Sequence, residues 1–320
     1  MKLSIILPTY NNANTLTECL KSLTNQNFPK KDYEILIIDG GSTDKTLEIA
    51  NKFRTTILHN PKRVEDNARI IGIKRAKAEI IAFIDADNIV IGRDWISKML
   101  KPFDDNEIVC ADTKYFDYLP SNSMKVRYQA LIGGDDPIAT YLGFYSRWCY
   151  FKNNWTDFPY ESEKKKGYDK VTLTNSELIP SIGSNGFLAR KKIFSKFFFS
   201  TQIHPDYIYQ MVKKGYNKIA KVNTGIVHNQ PTFFKNKIRR IKRRMNKEIK
   251  VEYHYDLTNM KMLLLTLRII TLIPLTVDII RGYIKKPNSA WLFHYPASIG
   301  LLFIYGFYKI KELFGTKIWN

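Results

Sequence analysis

Several features are scarce or missing in this sequence of 320 residues, and each absence excludes a class of protein. Only three cysteines occur, Cys19, Cys110 and Cys149, which are too few and too scattered for a disulfide framework or a zinc site. Neither a GxGxxG dinucleotide fingerprint nor a GxxxxGKS/T phosphate-binding loop is present. The first apolar run, residues 3–8, is too short for the hydrophobic core of a secretory signal. We therefore expect a reducing compartment, with the N-terminal domain in the cytoplasm.

Positive charge is abundant but unevenly distributed. The formal net charge is +20, and residues 235–250 hold nine basic residues and one acidic residue. Two apolar stretches follow, at residues 262–277 and 291–308. A basic segment beside apolar segments favours an anionic membrane surface. A nucleic-acid-binding protein would instead spread Lys and Arg over a docking face among stacking aromatics, so we predict membrane association and no nucleic-acid partner.

Apolar runs and helical patterns alternate in the N-terminal third of the chain. Strand-like runs occupy residues 3–8, 33–39, 55–60 and 79–88, and helical periodicity follows the first three. A capping box from Thr15 to Glu18 predicts the start of the first helix. Continuous Ile, Leu and Val runs separated by helices are typical of a parallel sheet covered on both faces. We predict a doubly wound, mostly parallel α/β fold with helices on both faces.

The later segments show weaker patterns. Residues 161–170 are predicted to form a polar loop, and residues 181–194 a glycine loop that enters a helix. Residues 204–222 are predicted to form a helix that leads to a strand.

Polar residues collect where three predicted strands end. These are Thr9 to Asn12, Asp39, and the pair Asp85 and Asp87. Ligands of open α/β sheets bind outside the carboxyl ends of the strands, so we expect one shared site. In an extended chain Asp85 and Asp87 would project to the same side, where two carboxylates suit Mg²⁺ or Mn²⁺ bound with substrate phosphates. The alternative is a polar turn, for which Asp and Asn are common residues.

The segments IILPTYNN, IIDGGSTDKT, NARIIGI and FIDADN resemble, in order and spacing, the inverting family 2 glycosyltransferases of the GT-A fold. The resemblance covers about residues 1–225. It implies that a nucleotide-sugar donor is bound by Pro8, Thr9, Tyr10, Asn12, Asp39, Arg69, Asp85 and Asp87. Asp87 would be the direct metal ligand and Asp85 would lie near the ribose. Gly40 stands where the family usually has a second Asp.

Other positions suit either a functional or a structural role. By the resemblance, Asp206 is the first choice for the general base and His204 the second, although an Asp beside a Pro also suits a helix N-terminus. His228 would complete the metal site with Asp85 and Asp87, yet a lone His after a strand is more often structural. Asn185 and Gly186 match the acceptor-binding loop, with simple turn chemistry as the alternative.

We predict a catalytic domain over residues 1–230, divided into a nucleotide-sugar-binding half (1–115) and an acceptor-binding half (116–230). A basic amphipathic helix over 231–256 and membrane-associated helices over 257–320 would follow, with a hairpin slightly favoured over interfacial helices.

The predicted function is transfer of a sugar from a nucleotide-sugar donor, with a UDP-sugar slightly preferred over a GDP-sugar, to a lipid acceptor at the cytoplasmic side of the cell membrane. Polyprenyl or dolichyl phosphate, a lipid-linked oligosaccharide or a glycolipid would each fit. A nucleotidyltransferase using the same acidic site is the alternative, as is a basic nucleic-acid-binding protein.

Overall fold

The computed structural model of the chain describes residues 1–201, 206–230, 233–245 and 259–313. The first elements are β1 (Leu3–Thr9), α1 (Ala13–Thr24), β2 (Tyr33–Asp39), α2 (Thr46–Asn51), β3 (Thr56–His59), α3 (Glu65–Arg75), β4 (Ile80–Phe83), β5 (Asn88–Val90), α4 (Trp95–Leu100) and β6 (Cys110–Asp117). They are followed by α5 (Met124–Ile132), α6 (Pro137–Tyr141), β7 (Tyr160–Lys165), β8 (Tyr168–Leu173), β9 (Phe187–Arg190), α7 (Lys191–Thr201), α8 (Asp206–Lys213) and β10 (Lys218–His228). The C-terminal elements are α9 (Phe233–Met245), α10 (Asn259–Ile270), α11 (Ile273–Lys285) and α12 (His294–Leu313), and short 3-10 helices cover Lys101–Asp104 and Ser289–Phe293.

The ten strands of the described ranges form one sheet, in the order β3-β2-β1-β4-β9-β6-β10-β8-β7, with β5 paired to β10. Strands β3, β2, β1 and β4 are parallel, as are β6 and β10, while β9 runs antiparallel between β4 and β6. The predicted α/β fold with a mostly parallel sheet is therefore confirmed. The sequence patterns did not separate out β9, which lies inside the segment predicted to be a glycine loop entering a helix.

The apolar runs form strands because they are buried. Leu3, Ile5, Ile6 and Leu7 of β1 are all completely buried. Pro8 fits next to them because β1 pairs with β4 only as far as Ile6, so the missing amide of the proline deprives no β4 carbonyl of a partner.

Two local predictions were wrong. Helix α1 begins at Ala13 after Asn12, so Thr15 lies within its first turn and does not cap it. The predicted polar loop at 161–170 forms most of the antiparallel hairpin β7–β8, which turns at Gly167, where φ is +95°. Its side chains are polar because β7 is mostly exposed, and an exposed edge strand carries no apolar alternation for a pattern to detect.

The chain forms two compact units. The first comprises residues 1–118 and 158–229 and contains the whole sheet. The second comprises residues 119–157 together with the described part of 230–320, and it is helical. Residues 119–157 thus belong with the C-terminal helices, whereas the predicted acceptor-binding half placed them with 116–230. The donor-binding and acceptor-binding roles of the two predicted halves remain predictions.

The C-terminal apolar stretches form three helices where two were expected. Two segments that include the first stretch, Met260–Ile270 and Ile273–Lys285, meet at an angle of 75°. Among the described residues one segment, Ser289–Lys311, is long and apolar enough to cross a membrane, and 33% of its most apolar window is buried in the protein. The bent pair would be a second such segment only if its two helices were taken as one span. The basic helix α9 packs within the second unit, since Phe233 is buried and Lys237 donates to Asp135 at 2.8 Å.

Candidate active site

The ends of β1 and β2 are joined through the Asp39 carboxylate. Thr9 lies opposite Asp39 in the parallel register, and its hydroxyl donates to Asp39 Oδ1 at 3.2 Å. The backbone amides of Gly41 and Ser42 donate to Oδ2 at 2.8 and 2.9 Å, and Ser42 Oγ donates to Oδ1. Gly41 has a φ of +82°, which permits this tight turn. Asp39 is therefore held rigidly at the sheet edge where a ligand is expected.

The loop after β1 is fastened to the loop after β2. Asn12 accepts from the amide of Tyr10 at 2.8 Å and donates its own amide to Thr46 Oγ1 at 2.7 Å. The left-handed Asn11, with φ of 52°, accepts from the amide of Thr43. The Tyr10 side chain is about half exposed, so its ring is accessible to a ligand beside Asp39.

Asp85 and Asp87 lie in a turn that connects β4 to β5. The amide of Asn88 donates to the carbonyl of Asp85 at 2.9 Å, and the amide of Asp85 donates to Asn88 Oδ1 at 3.0 Å. The extended conformation that would place both carboxylates on one side is therefore wrong, because the chain reverses after Phe83. The polar-turn interpretation describes the backbone correctly, and it leaves a metal-binding role open.

The second carboxylate of this turn lies next to a histidine. Asp87 Oδ2 is 3.6 Å from His228 Nε2, because β5 pairs antiparallel with β10 and sets His228 opposite Asn88. The amide of Asn229 also donates to the carbonyl of Asp87 at 2.9 Å. These contacts join the turn that carries Asp87 to the end of β10.

Asn88 was not predicted, and its side chain links these groups. It is completely buried, and its Nδ2 atom donates to Asn185 Oδ1 at 2.9 Å and to Asp87 Oδ1 at 3.3 Å. The structure therefore brings Asp87, His228 and Asn185 together around Asn88. The available signal was its position as the last residue of IDADN, since Asn is a strong turn residue three positions after Asp85.

The loop that carries Asn185 has a demanding backbone. Asn185 and Gly186 have φ values of 52° and 87°, and the Gly186 amide donates to the carbonyl of Phe83 at 2.9 Å. A Cβ atom at Gly186 would lie 3.0 Å from Ile226 and 3.2 Å from Trp95. The turn-chemistry alternative therefore accounts for Gly186, while the predicted acceptor contact remains a prediction.

The electrostatics of the turn centre on Asp85. Burial, Glu65 and Asp87 together raise the pKa of its carboxyl to about 7, against the lowering influence of Arg69 and His228. Arg69 is itself buried, pairs with Glu65 at 2.5 Å and lies over the ring of Phe83. A cation bound in the turn would favour the ionised form of Asp85.

A divalent metal fits the donor set of this turn, although the predicted three-residue ligand set does not stand assembled. Within the described ranges, no three His, Cys, Asp or Glu side chains lie close enough to share a metal ion. Asp87 and His228 supply an oxygen and a nitrogen donor near each other. Mg²⁺ and Mn²⁺ commonly keep water and substrate phosphates as their other ligands, so one or two protein ligands suffice.

Of the two candidate general bases, Asp206 lies within the described residues and His204 does not. Asp206 is the first residue of α8 and is buried, which fits a carboxylate at a helix N-terminus. Its neighbour Tyr207 donates to the carbonyl of Gly183 at 2.9 Å and anchors the helix to the loop before Asn185. His204 lies outside the described residues. The role of either residue as a base stays a prediction.

The α/β sheet with polar residues at its strand ends defines a class of protein that binds its ligand at the carboxyl edge of the sheet. Within that class the family can be stated. The sequence model of Glycosyl transferase family 2 matches residues 4–195, and the chain belongs to this family.

Similar proteins include characterised enzymes. A 96-residue stretch is 38% identical to the poly(ribitol-phosphate) beta-N-acetylglucosaminyltransferase TarS of Staphylococcus aureus, covering 28% of this chain and 17% of that protein. Another of 91 residues is 40% identical to the dolichyl N-acetyl-alpha-D-glucosaminyl phosphate 3-beta-D-2,3-diacetamido-2,3-dideoxy-beta-D-glucuronosyltransferase of Methanococcus voltae, covering 26% and 28%. The matches thus span less than a third of either relative. Among solved structures, the mannosyltransferase PcManGT of Pyrobaculum calidifontis, in complex with GDP-Man and Mn²⁺, aligns with a TM-score of 0.48 at 13% identity over 93% of this chain and 73% of that one.

Proposed function

We propose that this protein is an inverting glycosyltransferase that moves a sugar from a nucleotide-sugar donor to an acceptor at a membrane. The observation that carries the proposal is the joining of Asp87, His228 and Asn185 around one turn, in a chain of family 2 that also holds Asp39 at the same edge of its sheet. In the reaction an acceptor oxygen attacks the anomeric carbon while the nucleoside diphosphate leaves from the opposite face.

Donor binding is assigned to the two fastened loops and the acidic turn. Asp39 would accept a hydrogen bond from the base of the nucleoside in place of the one from the Ser42 hydroxyl, which mildly favours the N3–H of uracil and hence a UDP-sugar over a GDP-sugar. Tyr10 would cover the base, and Asp85 would contact the ribose. Arg69, which was predicted to contact the donor, is buried and paired with Glu65, so it would act indirectly by lowering the pKa of Asp85.

Asp87 would hold Mg²⁺ or Mn²⁺ against the diphosphate, with His228 as a second protein ligand. The metal would supply stabilisation of the negative charge that develops on the leaving group. The residues' own part is to fix the carboxylate, and Asn88 does this by donating to Asp87 and bracing the turn.

The acceptor is proposed to be lipid-linked. The Methanococcus relative is named for a dolichyl phosphate sugar, and this chain has apolar C-terminal helices. TarS is named for a poly(ribitol phosphate), which is a polymer acceptor. A phosphate acceptor is already anionic and needs no general base. A hydroxyl acceptor needs one, for which Asp206 is the first candidate and His204 the second.

The test is a panel of UDP- and GDP-sugars with Mg²⁺ or Mn²⁺, scored by thermal shift and then by hydrolysis or transfer to polyprenyl phosphate. We expect one nucleotide class to stabilise the protein in the presence of metal. A protein that no sugar nucleotide stabilises, with or without metal, would contradict the proposal. Release of pyrophosphate from a nucleoside triphosphate and a sugar phosphate would instead identify a nucleotidyltransferase.

A further inference from the structure

The helices α10 and α11 of the second unit carry an exposed apolar surface. On α10 the exposed residues are 49–64% accessible and recur at helical spacing: Met260, Leu263, Leu264, Leu267 and Ile270. On α11 they are 38–72% accessible: Ile273, Val277, Ile280 and Ile284. Apolar stripes of this length on a protein surface mark contact with a partner or a membrane.

The opposite sides of both helices are packed, so the exposure is not that of loosely attached segments. Leu265 and Ile269 of α10 are buried, as is Leu275 of α11. Gly282 of α11 lies against the Trp291 ring so closely that a Cβ atom there would come within 2.4 Å of it. Each helix therefore buries one apolar side in the second unit and exposes another.

On this helix pair the exposed charged side chains are basic, and the acidic side chain is buried in an ion pair. Asp278 is the single acidic residue between Asn259 and Lys286. It is buried, pairs with Arg268 at 2.6 Å and accepts from Tyr141 at 2.8 Å. The exposed charges of α11 and the residue after it are basic: Arg281, Lys285 and Lys286. The surface thus matches an anionic lipid headgroup layer in charge as well as in polarity.

Neither helix alone is long enough to cross a bilayer, and the two together would be long and apolar enough only as one broken span. The segments Met260–Ile270 and Ile273–Lys285 meet at 75°. At 1.5 Å per residue they measure roughly 16 and 20 Å, against about 30 Å of hydrocarbon. The bend is built into the chain, because Leu272 adopts a left-handed φ of 60° and Pro274 in the next turn has no amide to continue the first helix.

We infer that α10 and α11 form a bent foot that lies in the plane of an anionic membrane and does not span it. The apolar stripes enter the boundary between headgroups and acyl chains, and the basic residues contact anionic headgroups. This differs from the spanning hairpin slightly favoured by the sequence, and it rests on the proposed function only for the presence of a lipid acceptor. A second copy of the chain is a poorer occupant, because a symmetric contact would bring Arg281, Lys285 and Lys286 towards their own copies.

Flotation of the full-length protein with lipid vesicles tests the contact. We expect binding to vesicles of phosphatidylcholine mixed with phosphatidylglycerol, and weaker binding to phosphatidylcholine alone. Leu264→Glu with Ile280→Glu should lower the partition coefficient by at least about tenfold. The matched control is Leu178→Glu, an exposed leucine of the first unit, which should leave it unchanged. Equal flotation of the double variant would overturn the inference, as would self-association in solution that the double variant abolishes.

Thiol labelling in intact cells distinguishes an in-plane foot from a spanning hairpin. The three native cysteines are buried, so they give little background. Lys286→Cys, between α11 and the next helix, should resist a membrane-impermeant maleimide until the cells are permeabilised, as should Ser162→Cys on the exposed β7. Labelling of Lys286→Cys alone from outside would establish a hairpin and overturn the in-plane arrangement.

The same variants separate this inference from the proposed function. Leu264→Glu with Ile280→Glu should retain metal-dependent stabilisation by sugar nucleotides in lipid-free buffer, since both residues lie in the second unit. Loss of flotation with retained nucleotide binding supports the foot. Nucleotide binding that is absent even in the unchanged protein contradicts the proposed function and leaves the flotation result standing.

Discussion

Asn88 illustrates how one buried side chain can organise an acidic turn. Its Oδ1 atom accepts from the amide of Asp85, and its Nδ2 atom donates to Asp87 and Asn185. These bonds fix the carboxylate of Asp87 relative to the loop that carries Asn185. A buried amide with all its partners satisfied is rigid, whereas one left without partners is costly.

Substitutions of Asn88 test the acceptor and the donor atoms of its side-chain amide separately. Asn88→Asp keeps the acceptor for the Asp85 amide but removes the donor to Asp87 and Asn185, and it adds a negative charge beside Asp87. We expect a loss of stability of about 1–3 kcal/mol and weaker metal-dependent donor binding. Asn88→Ala should lose comparable stability without the added repulsion. Urea unfolding and nucleotide titration of both variants check this, and unchanged donor affinity in Asn88→Asp would contradict the positioning role.

Gly186 offers a second test at this scale. Gly186→Ala introduces both a positive-φ penalty and a Cβ atom within 3.0 Å of Ile226, so we expect a loss of about 2–4 kcal/mol. Gly215→Ala is the matched control, because its φ is +84° and nothing lies within 4 Å of the added atom. It should lose only about 1 kcal/mol. Equal losses measured by urea unfolding would show that packing at Gly186 is unimportant.

The site residues could be predicted only in part from the sequence. Asp85 and Asp87 stand out because carboxylates at the end of a buried run are chemically conspicuous. Their conformation could not be predicted, since two residues beyond Phe83 the strand has already ended, and alternation holds only within a strand. Asn88 escaped notice because its role depends on Asn185, which is 97 positions away in the sequence.

At the scale of elements, strands buried as continuous apolar runs could be predicted from the sequence, and the exposed polar strand β7 could not. Strands β1, β2 and β4 are fully or almost fully buried and were located from continuous apolar runs. The β7–β8 hairpin was missed because its first strand is polar and exposed. The bend between α10 and α11 was not predicted because the apolar run continues through it and the left-handed Leu272 leaves no trace in hydropathy. Pro274 was the available signal.

That bend carries backbone strain that a substitution can relieve. Leu272 is non-glycine with φ of 60° and is 43% exposed, so a glycine there would lose little packing. Leu272→Gly should raise the stability of the protein by about 1 kcal/mol. The matched control is Leu267→Gly, on an ordinary turn of α10, which should lower it. A thermal unfolding midpoint that falls in Leu272→Gly would contradict a left-handed bend.

At the scale of the whole molecule, the second unit is organised around a buried histidine. His294 Nδ1 lies 2.7 Å from the Tyr128 hydroxyl and Nε2 lies 2.7 Å from that of Tyr141, which in turn donates to Asp278. Because Tyr141 gives its hydrogen to Asp278, Nε2 carries the imidazole hydrogen and Tyr128 donates to Nδ1. This arrangement of hydrogen bonds requires a neutral imidazole, and burial lowers the pKa of His294 to about 4.

The contribution of His294 to stability should therefore fall in mild acid. Between about pH 6.5 and 4 the unfolded chain binds a proton that the folded His294 does not, so this contribution is complete above the window and is lost as the pH falls through it. The raised pKa of Asp85 acts in the opposite direction, and it does so equally in the variants compared below. The loss should approach about 3 kcal/mol. His294→Gln should flatten this dependence, whereas His59→Gln, at an exposed strand position, should retain it. Urea unfolding across this window measures the effect, and equal slopes in all three proteins would contradict it.

We propose that Asp87 holds a metal ion against a sugar nucleotide. Calorimetric titration of the full-length protein with UDP- and GDP-sugars, in Mn²⁺ and in EDTA, tests it most directly. We expect binding in Mn²⁺ that weakens at least about tenfold in EDTA or in Asp87→Asn. Asp104→Asn, at an exposed carboxylate paired with Lys101, should bind as the unchanged protein does. Equal affinity in EDTA and in Asp87→Asn, or no binding of any sugar nucleotide, would contradict the account.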